Sequence, residues 1–254
     1  MSRELIAAQS GWGKSWFAQR RIERNLSEFD RVVVLDYEAE FHGLTGIDGV
    51  RWLGVDKSFT NLDSGDWAEV IQSNRGLVAA RYVAQSDWQE IVAEIGKSAG
   101  GLDETVLLVI DECHFVAPLR GSIPDDVTGI ATTGRGRGVS SIWVTQRIAL
   151  ADTTVTTQCN RRLLGGFTGK SDLSRVADTV DYPADVHNPQ GTVSNLPPEL
   201  QTDSSESVVL RETGPGSEWI YSSRSGERSR IDSSDLDLST THLGDAGEDL
   251  KPPA

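Results

Sequence analysis

The chain has 254 residues, of which 37% are hydrophobic, and a formal net charge of −14 at pH 7. This size suits one ordinary domain with a sizeable core and an appendage. The longest apolar runs, such as Val106 to Ile110, are too short to cross a bilayer, and no signal peptide precedes the first predicted strand. These features predict a protein of the cytoplasm, or one carried inside a particle.

The charged residues are unevenly distributed. Thirty-eight acids face 24 bases, and only five of those bases are lysines. This balance resembles the acidic, lysine-poor proteins of salt-loving archaea, in which acidity does not exclude a nucleic-acid partner; the alternative is an ordinary acidic protein that never meets DNA. From Glu199 onward there are twelve acids and five bases, so half of the net negative charge lies in the C-terminal fifth.

Predicted strands and helices alternate along the first 190 residues. Apolar runs and helical periodicity predict strands at 4–8, 31–38, 76–83, 105–112, 140–146 and 161–167, and helices at 15–26, 86–101, 125–132 and 170–180. Such alternation predicts an α/β fold with a mostly parallel sheet flanked by helices. The two cysteines, Cys113 and Cys159, are interpreted as reduced thiols, and no Cys/His cluster has metal-ligand spacing.

The composition changes after the predicted core. We expect an α/β core at 1–190, a small β extension at 191–230 and a disordered acidic tail at 231–254. Within the extension, "SVVLRE" and "EWIYSS" predict a hairpin around "TGPGS". The tail is rich in Ser, Asp, Thr and Gly and has few large apolar groups, which is typical of disorder.

A glycine-rich turn follows the first predicted strand. "AQSGWGKS" (8–15) fits the P-loop pattern G-x-x-x-x-G-K-[ST], except that Ala8 replaces the first glycine. Backbone N–H groups of such a turn point at phosphate oxygens, and the following helix adds its positive end. The lysine reaches the β- and γ-phosphates and the serine hydroxyl completes a Mg²⁺ shell. The predicted ATP-binding residues are Gln9, Ser10, Gly11, Trp12, Gly13, Lys14, Ser15 and Trp16.

A pair of adjacent carboxylates ends the strongest predicted strand. In "LLVIDE" (107–112), Asp111 would hold the hydration shell of Mg²⁺ and Glu112 would act as general base toward the attacking water. This pair favours an Mg-dependent ATPase over a GTPase or nucleotide kinase. The predicted metal ligands are therefore Ser15 and Asp111, and the predicted cofactors are ATP and Mg²⁺.

Beyond Glu112, the stretch "GRGRGVSSIWVTQR" (134–147) places glycine-bracketed arginines before an apolar strand that ends in Thr-Gln-Arg. Together with the P-loop, the Asp-Glu pair and "NLPPEL" (195–200), it resembles the FtsK/HerA superfamily of DNA-pumping ATPases. Within the superfamily, the chain looks most like the genome-packaging ATPases of membrane-containing archaeal viruses. The resemblance covers about residues 4–210.

This resemblance implies a RecA-like, additional-strand P-loop fold in a ring of six subunits, with ATP between neighbours. Arg135 matches the family's arginine finger, which acts on the neighbour's γ-phosphate, and Arg137 is a second candidate. Gln146 would sense the γ-phosphate or the attacking water. With Lys14 and Glu112, these complete the predicted catalytic set.

The same resemblance implies a motor that translocates double-stranded DNA without sequence preference, in the cytoplasm or in a virion, with capsid or membrane proteins as further partners. Two alternatives stay open: an assembly or secretion ATPase that extrudes a particle or protein, and a nucleotide-dependent scaffold with little turnover. The candidate DNA-contacting loops are residues 57–66 and 118–124.

Several local readings also stay open. Asp36 and Glu38 lie at the tip of the second predicted strand and would either approach the site or form a solvated strand end. Trp12 would either stack on the nucleotide or pack inside the protein.

Overall fold

The computed structural model describes residues 2–202, 207–210 and 216–243, apart from the side chains of Arg135 and Arg137. In this part of the chain, nine strands form one sheet in the order β3-β4-β2-β5-β6-β1-β7-β8-β9. The strands are β1 (Arg3–Ala7), β2 (Arg31–Asp36), β3 (Val50–Val55), β4 (Gly76–Arg81), β5 (Val106–Ile110), β6 (Val139–Thr145), β7 (Arg161–Leu164), β8 (Glu218–Ser223) and β9 (Arg228–Asp232).

The first seven strands are parallel, and only β8 and β9 run antiparallel. β6 lies between β1 and β5, so one strand separates the strand before the P-loop from the strand before the Asp-Glu pair. This is the additional-strand arrangement that the sequence predicts. The carboxyl ends of β1, β5 and β6 meet at one edge of the sheet, where ligands bind in open α/β folds.

Helices cover both faces of the sheet. They are α1 (Lys14–Asn25), α2 (Ser64–Gln72), α3 (Gln85–Gly101), α4 (Cys113–Val116), α5 (Asp125–Thr132), α6 (Thr153–Gln158) and α7 (Lys170–Ala177). Leu5 and Ala7 of β1 belong to a core cluster with residues of α2, α3, α5, α6 and α7. Ile6 points to the opposite face, where it clusters with α1 and with residues after Tyr182. Central strands buried on both faces explain the continuous apolar runs in the sequence.

Five elements, β3, β9, α2, α4 and α6, were not predicted from the sequence. β3 is an edge strand, and four of its six residues are half-buried or exposed, so it lacks the continuous apolar run of the inner strands. α2 begins with a capping box in which the side chains of Asp63 and Asp66 each accept a hydrogen bond from the other residue's backbone N–H.

In the described residues, the predicted pairing of "SVVLRE" with "EWIYSS" is limited to one antiparallel bridge and the hydrogen bond from Glu218 N–H to the Val209 carbonyl, and the longer hairpin of this region is a different one. The hairpin joins β8 to β9 through a turn in which Gly226 has φ 87°, and Ser223 N–H donates to the Glu227 carbonyl. "SVVLRE" contributes an isolated antiparallel bridge between Leu210 and Ser217, and residues 211–215 lie outside the described part. Because β8 also pairs with β7, the hairpin extends the central sheet.

The predicted disorder of the tail is wrong for residues 231–243. Ile231 and Asp232 end β9, Ser233–Asp235 form a 3₁₀ turn, and the following residues lie along α1. The polar side chains that suggested disorder make the attachments: Glu23 accepts hydrogen bonds from the backbone of Ser239 and Thr240. The predicted tail from 244 to 254 lies outside the described residues.

Among residues 2–202, 207–210 and 216–243, no helix has both the length and the apolar character needed to cross a membrane.

Candidate nucleotide site

The turn after β1 has the backbone that a phosphate cradle requires. Gly11 and Gly13 have φ angles of 78° and 82°, in the left-handed region that favours glycine. Gly13 caps α1, which begins at Lys14, so the first N–H groups of a twelve-residue helix face the turn. The P-loop motif therefore forms the strand–turn–helix unit that phosphate binding needs.

Ala8 can replace the first glycine of the motif because another glycine, Gly165, lies opposite it. A Cβ added at Gly165 would lie 2.8 Å from the Ala8 Cβ. Ala8 itself is fully buried at the end of the β1 strand. The methyl group that the motif normally lacks thus occupies the space that Gly165 leaves open.

Trp12 packs inside the protein, so the alternative in which its indole stacks on a nucleotide is wrong. Its side chain is 1% exposed and lies against Gly165 and Gly166, where added Cβ atoms would overlap the indole. Trp12 Nε1–H donates to the Glu218 carbonyl at 3.1 Å, and Ser217 Oγ–H donates to the Trp12 carbonyl at 2.7 Å. The tip of the P-loop is thereby anchored to β8, and only the backbone of Trp12 remains for a ligand.

Lys14 lies between the two carboxylates that end β5. Its Nζ is 2.9 Å from Glu112 Oε1 and 3.8 Å from Asp111 Oδ1. All three side chains are less than a tenth exposed. The P-loop and the Asp-Glu pair, about a hundred residues apart in sequence, therefore form one cluster of buried charges.

The cluster shifts the pKa of each member. Burial opposes the charge of Lys14, but attraction to Asp111 and Glu112 prevails and raises the lysine's pKa. Burial raises the pKa of Asp111 well above its usual value. For Glu112, burial is outweighed by a hydrogen bond from His114 and by the charge of Lys14, so its pKa is lowered. Glu112 is therefore ionised at neutral pH, which is the protonation state that a general base needs.

Glu112 adopts an unusual backbone conformation and is held on both sides. Its φ of 40° lies in the left-handed region, which is costly for a residue with a side chain. His114 Nδ1 lies 3.1 Å from Glu112 Oε2 and 3.0 Å from Thr145 Oγ1. Gln146 N–H donates to the same carboxylate oxygen at 3.3 Å. His114 was not predicted as a site residue, although its position two residues after the Asp-Glu pair was a signal.

A cleft of about 490 Å³ brings most of the predicted site together. It is lined by Gln9, Ser10, Gly11, Gly13, Lys14, Ser15, Glu38, Glu40, Glu112, Gln146 and His242. Of the predicted residues, Trp16 lines a second cavity on the other side of Gly11 and Gly13, and Asp111 is buried behind Lys14. Glu40 and His242 were not predicted; His242 lies in the supposedly disordered tail, where nothing in the sequence marked it.

The structure separates the roles of Asp36 and Glu38. Asp36 is fully buried and accepts hydrogen bonds from the backbone N–H groups of Glu40 and Phe41, each at 3.0 Å. Burial raises its pKa to about 7. Asp36 therefore shapes the loop after β2 and is no solvated strand end, whereas Glu38 is exposed and faces the cleft.

The residues present fit a magnesium ion bound together with phosphate. Both carboxylate oxygens of Asp111 are buried without a hydrogen-bond partner, and Ser15 lines the cleft beside Lys14. In the described ranges, no three His, Cys, Asp or Glu side chains converge as an all-protein metal site. Mg²⁺ at phosphate sites takes few protein ligands and completes its shell with phosphate and water, as this donor set requires.

The predicted finger arginines lie at the other edge of the sheet. Gly134–Arg137 form a 3₁₀ turn just before the amino end of β6, whereas the P-loop and Gln146 lie at the carboxyl ends of the strands. Seven strand residues span about 20 Å. The Arg135 and Arg137 side chains lie outside the described part. The backbone of this turn therefore lies at the opposite end of β6 from the cleft of its own chain.

The overall structure is similar to those of two proteins. The genome-packaging NTPase B204 from Sulfolobus turreted icosahedral virus 2, in complex with AMPPCP, superposes with a TM-score of 0.61 at 12% identity, over 90% of this chain and 96% of B204. VirB4 of Thermoanaerobacter pseudethanolicus superposes with a TM-score of 0.60 at 10% identity, over 91% and 88%. The chain has a P-loop NTPase fold. These similarities confirm the predicted fold.

The amino-acid sequence of the chain matches no family model and no curated protein.

Proposed function

We propose that the protein is an Mg-dependent ATPase that works as a ring motor and translocates double-stranded DNA, in the packaging of a viral genome. The observation that carries the ATPase assignment is the buried contact of Lys14 with Asp111 and Glu112 at the floor of the cleft. Burial of such a cluster costs free energy of folding, so its presence indicates a functional role for these charges. Two solved structures of B204, one with ATP-gammaS and one with AMPPCP, support nucleotide binding.

The cleft suggests how ATP changes the cluster. A γ-phosphate at the P-loop competes with Glu112 for Lys14 Nζ, because both are anions within reach of the same ammonium group. Glu112 is then free to accept a proton from the attacking water, while His114 and the Gln146 N–H keep its carboxylate oriented. Ser15 and Asp111 would hold Mg²⁺, which supplies charge neutralisation at the phosphates.

A ring explains where the arginines act. Because the Gly134–Arg137 turn lies at the edge of the sheet opposite the cleft, a finger from this turn has to serve a neighbouring subunit. The flanking glycines let the turn adapt without steric cost, and a guanidinium fork suits the spread charge of the phosphoryl group. We infer the ring of six subunits from the sequence resemblance.

Support for DNA as the substrate comes from the similarity to B204, described as a DNA-packaging ATPase. The charges of the candidate DNA-contacting loops add little support for DNA binding. Lys57 and Arg120 are the basic residues of the two candidate DNA-contacting loops, and the first loop also contains Asp63 and Asp66 and directly follows Asp56. Contact with DNA would therefore be limited to the phosphate backbone and sensitive to salt.

The experiment that tests the proposal measures ATP hydrolysis with and without linear duplex DNA, in multimolar KCl, with the oligomer size determined in the same buffer. A DNA motor is stimulated by the duplex. Stimulation by a protein or membrane partner alone identifies an assembly or secretion ATPase. Assembly with ATP but no hydrolysis identifies a scaffold.

The finger is tested separately. Arg135→Ala should abolish hydrolysis and leave ATP binding intact, and the variant should poison mixed rings because the arginine acts on a neighbour. Arg137→Ala is the companion variant. An unchanged hydrolysis rate in both would remove the finger assignment.

A further inference from the structure

A second cavity, of about 660 Å³, adjoins the phosphate cleft. Gly11 and Gly13 line both, so the P-loop forms the wall between them. Its other walls include Trp16, Ser217, Ser233, Leu236, Asp237 and Leu238. Its volume lies within the range of small-molecule sites, and residues 233–238 contribute five of its twelve lining residues.

The walls combine an aromatic ring with apolar and polar groups. Trp16 is half-buried, and Leu236 and Leu238 add apolar surface from the C-terminal segment. Asp237 supplies an exposed carboxylate that can accept hydrogen bonds. A flat aromatic ring binds any base by stacking, and a carboxylate suits the hydroxyls of a sugar.

The order of residues along α1 relates the two cavities. Ser15 lines the phosphate cleft, and Trp16, the next residue, lines the second cavity. A polyphosphate bound at Lys14 and Ser15 would therefore lie next to the residue that lines the second cavity.

The C-terminal wall is tied to the protein at both ends. Ser217 N–H donates to Ser233 Oγ at 2.8 Å, and Ser233 N–H donates to the Ser217 carbonyl at 2.9 Å. Farther along, Glu23 accepts from the backbone of Ser239 and Thr240. Residues 233–238 are thus held between β8 and α1, in position to close a binding site.

We propose that residues 233–238, together with Trp16, form the nucleoside pocket of the nucleotide site. The base stacks on Trp16 beside Leu236 and Leu238, and Asp237 accepts hydrogen bonds from the ribose hydroxyls. The inference rests on the proposed binding of a nucleotide phosphate at the P-loop, and it assigns a ligand to a segment that the sequence marks only as acidic.

Calorimetric titration of the full chain with ADP and with inorganic pyrophosphate, both with Mg²⁺, tests the pocket, because the two ligands differ by the nucleoside. The variants are Trp16→Ala and Asp237→Ala, and the matched control is Asp235→Ala. Asp235 is exposed two residues away and does not line the cavity. Since both Asp variants remove one negative charge, their difference isolates the contact with the sugar.

The wild-type chain should bind ADP more tightly than pyrophosphate. Trp16→Ala should weaken ADP binding about tenfold or more, and Asp237→Ala about fivefold relative to Asp235→Ala, with pyrophosphate affinity unchanged in each. ADP binding no tighter than pyrophosphate, no loss in either variant, or equal losses for both ligands would overturn the nucleoside pocket while leaving the phosphate site. A wild-type chain that binds neither ligand would overturn the proposed function as well.

Discussion

The two flanks of the P-loop are built from opposite kinds of interaction. Toward β6 and β5, Lys14, Asp111 and Glu112 bury three ionisable groups in contact with one another. Toward β7 and β8, the loop rests on neutral groups, with Trp12 packed against two glycines and joined to β8 by hydrogen bonds. Both flanks are buried, but only the flank toward β5 and β6 contains charged side chains.

The difference shows how the molecule divides chemistry from stability. Buried charges gain little free energy for folding, because the loss of hydration offsets their attraction. Burial of an indole contributes several kcal/mol. The neutral flank therefore stabilises the loop that the charged flank uses. Changes on the charged flank should alter activity, and changes on the neutral flank should alter stability.

The largest effect is expected for Glu112→Gln. Loss of the general base should lower the rate of phosphate release by about 10²- to 10⁴-fold. The thermal midpoint should move little, since the amide oxygen still accepts from Lys14 Nζ. Glu104→Gln is the matched control, because Glu104 pairs with Arg31 just before β5 begins, at the far end of that strand. Hydrolysis at the wild-type rate in Glu112→Gln would contradict the charged flank's role.

On the neutral flank, Trp12→Ala should lower the free energy of unfolding by about 3–5 kcal/mol, because a fully buried indole leaves a cavity. Denaturant unfolding measures the change. Trp52→Ala on edge strand β3, where the indole is only half-buried, is the control and should cost less. An equal loss of unfolding free energy in the two variants would show that Trp12 stabilises the protein no more than a half-buried tryptophan does.

His187 makes the stability of the neutral flank depend on pH. It is fully buried, with Nδ1 2.7 Å from the Gly165 carbonyl oxygen and Nε2 3.1 Å from the Tyr182 hydroxyl. Burial lowers its pKa to about 4 from the ordinary 6.5. Between these values the unfolded chain binds more protons than the folded one, so stability falls as pH falls from 6.5 to 4.

This shift corresponds to about 3 kcal/mol across the window. In His187→Asn, which keeps an N–H donor for Gly165, unfolding midpoints measured from pH 7 to 4 should fall less steeply than in the wild type. Parallel curves would show that His187 does not drive the dependence.

The smallest effect is expected at the C-terminal segment. Glu23→Ala removes the acceptor for the Ser239 and Thr240 amides, so hydrogen exchange at these two positions should accelerate about tenfold while global stability changes little. Exposed Arg24→Ala, next on the same helix, serves as control. Unchanged exchange rates would mean that other contacts hold the segment.

The charged flank was largely predictable from the sequence. Lys14, Asp111 and Glu112 lie in short motifs whose geometry follows from a strand, a turn and a helix, and parallel strands bring their ends to one edge. Helix α5 has the predicted bounds, because its periodicity and its proline before the first turn are local signals.

The neutral flank was not predictable in the same way. Trp12 meets Ser217 and Glu218 across more than two hundred residues, and no local pattern encodes such contacts. The tail looked disordered because serines and threonines resemble solvent-exposed linker. They are ordered here since Gln19 and Glu23 of α1 provide their partners.

Strand β6 carries Gln146 at one tip and the Gly134–Arg137 turn at the other. In the proposed ring, the two ends of β6 would therefore lie at two ATP molecules, one bound by its own subunit and one bound by the next subunit. A small rotation of β6 on hydrolysis would move the Gly134–Arg137 turn at the neighbouring ATP site. The order in which the subunits hydrolyse ATP would then depend on this seven-residue strand.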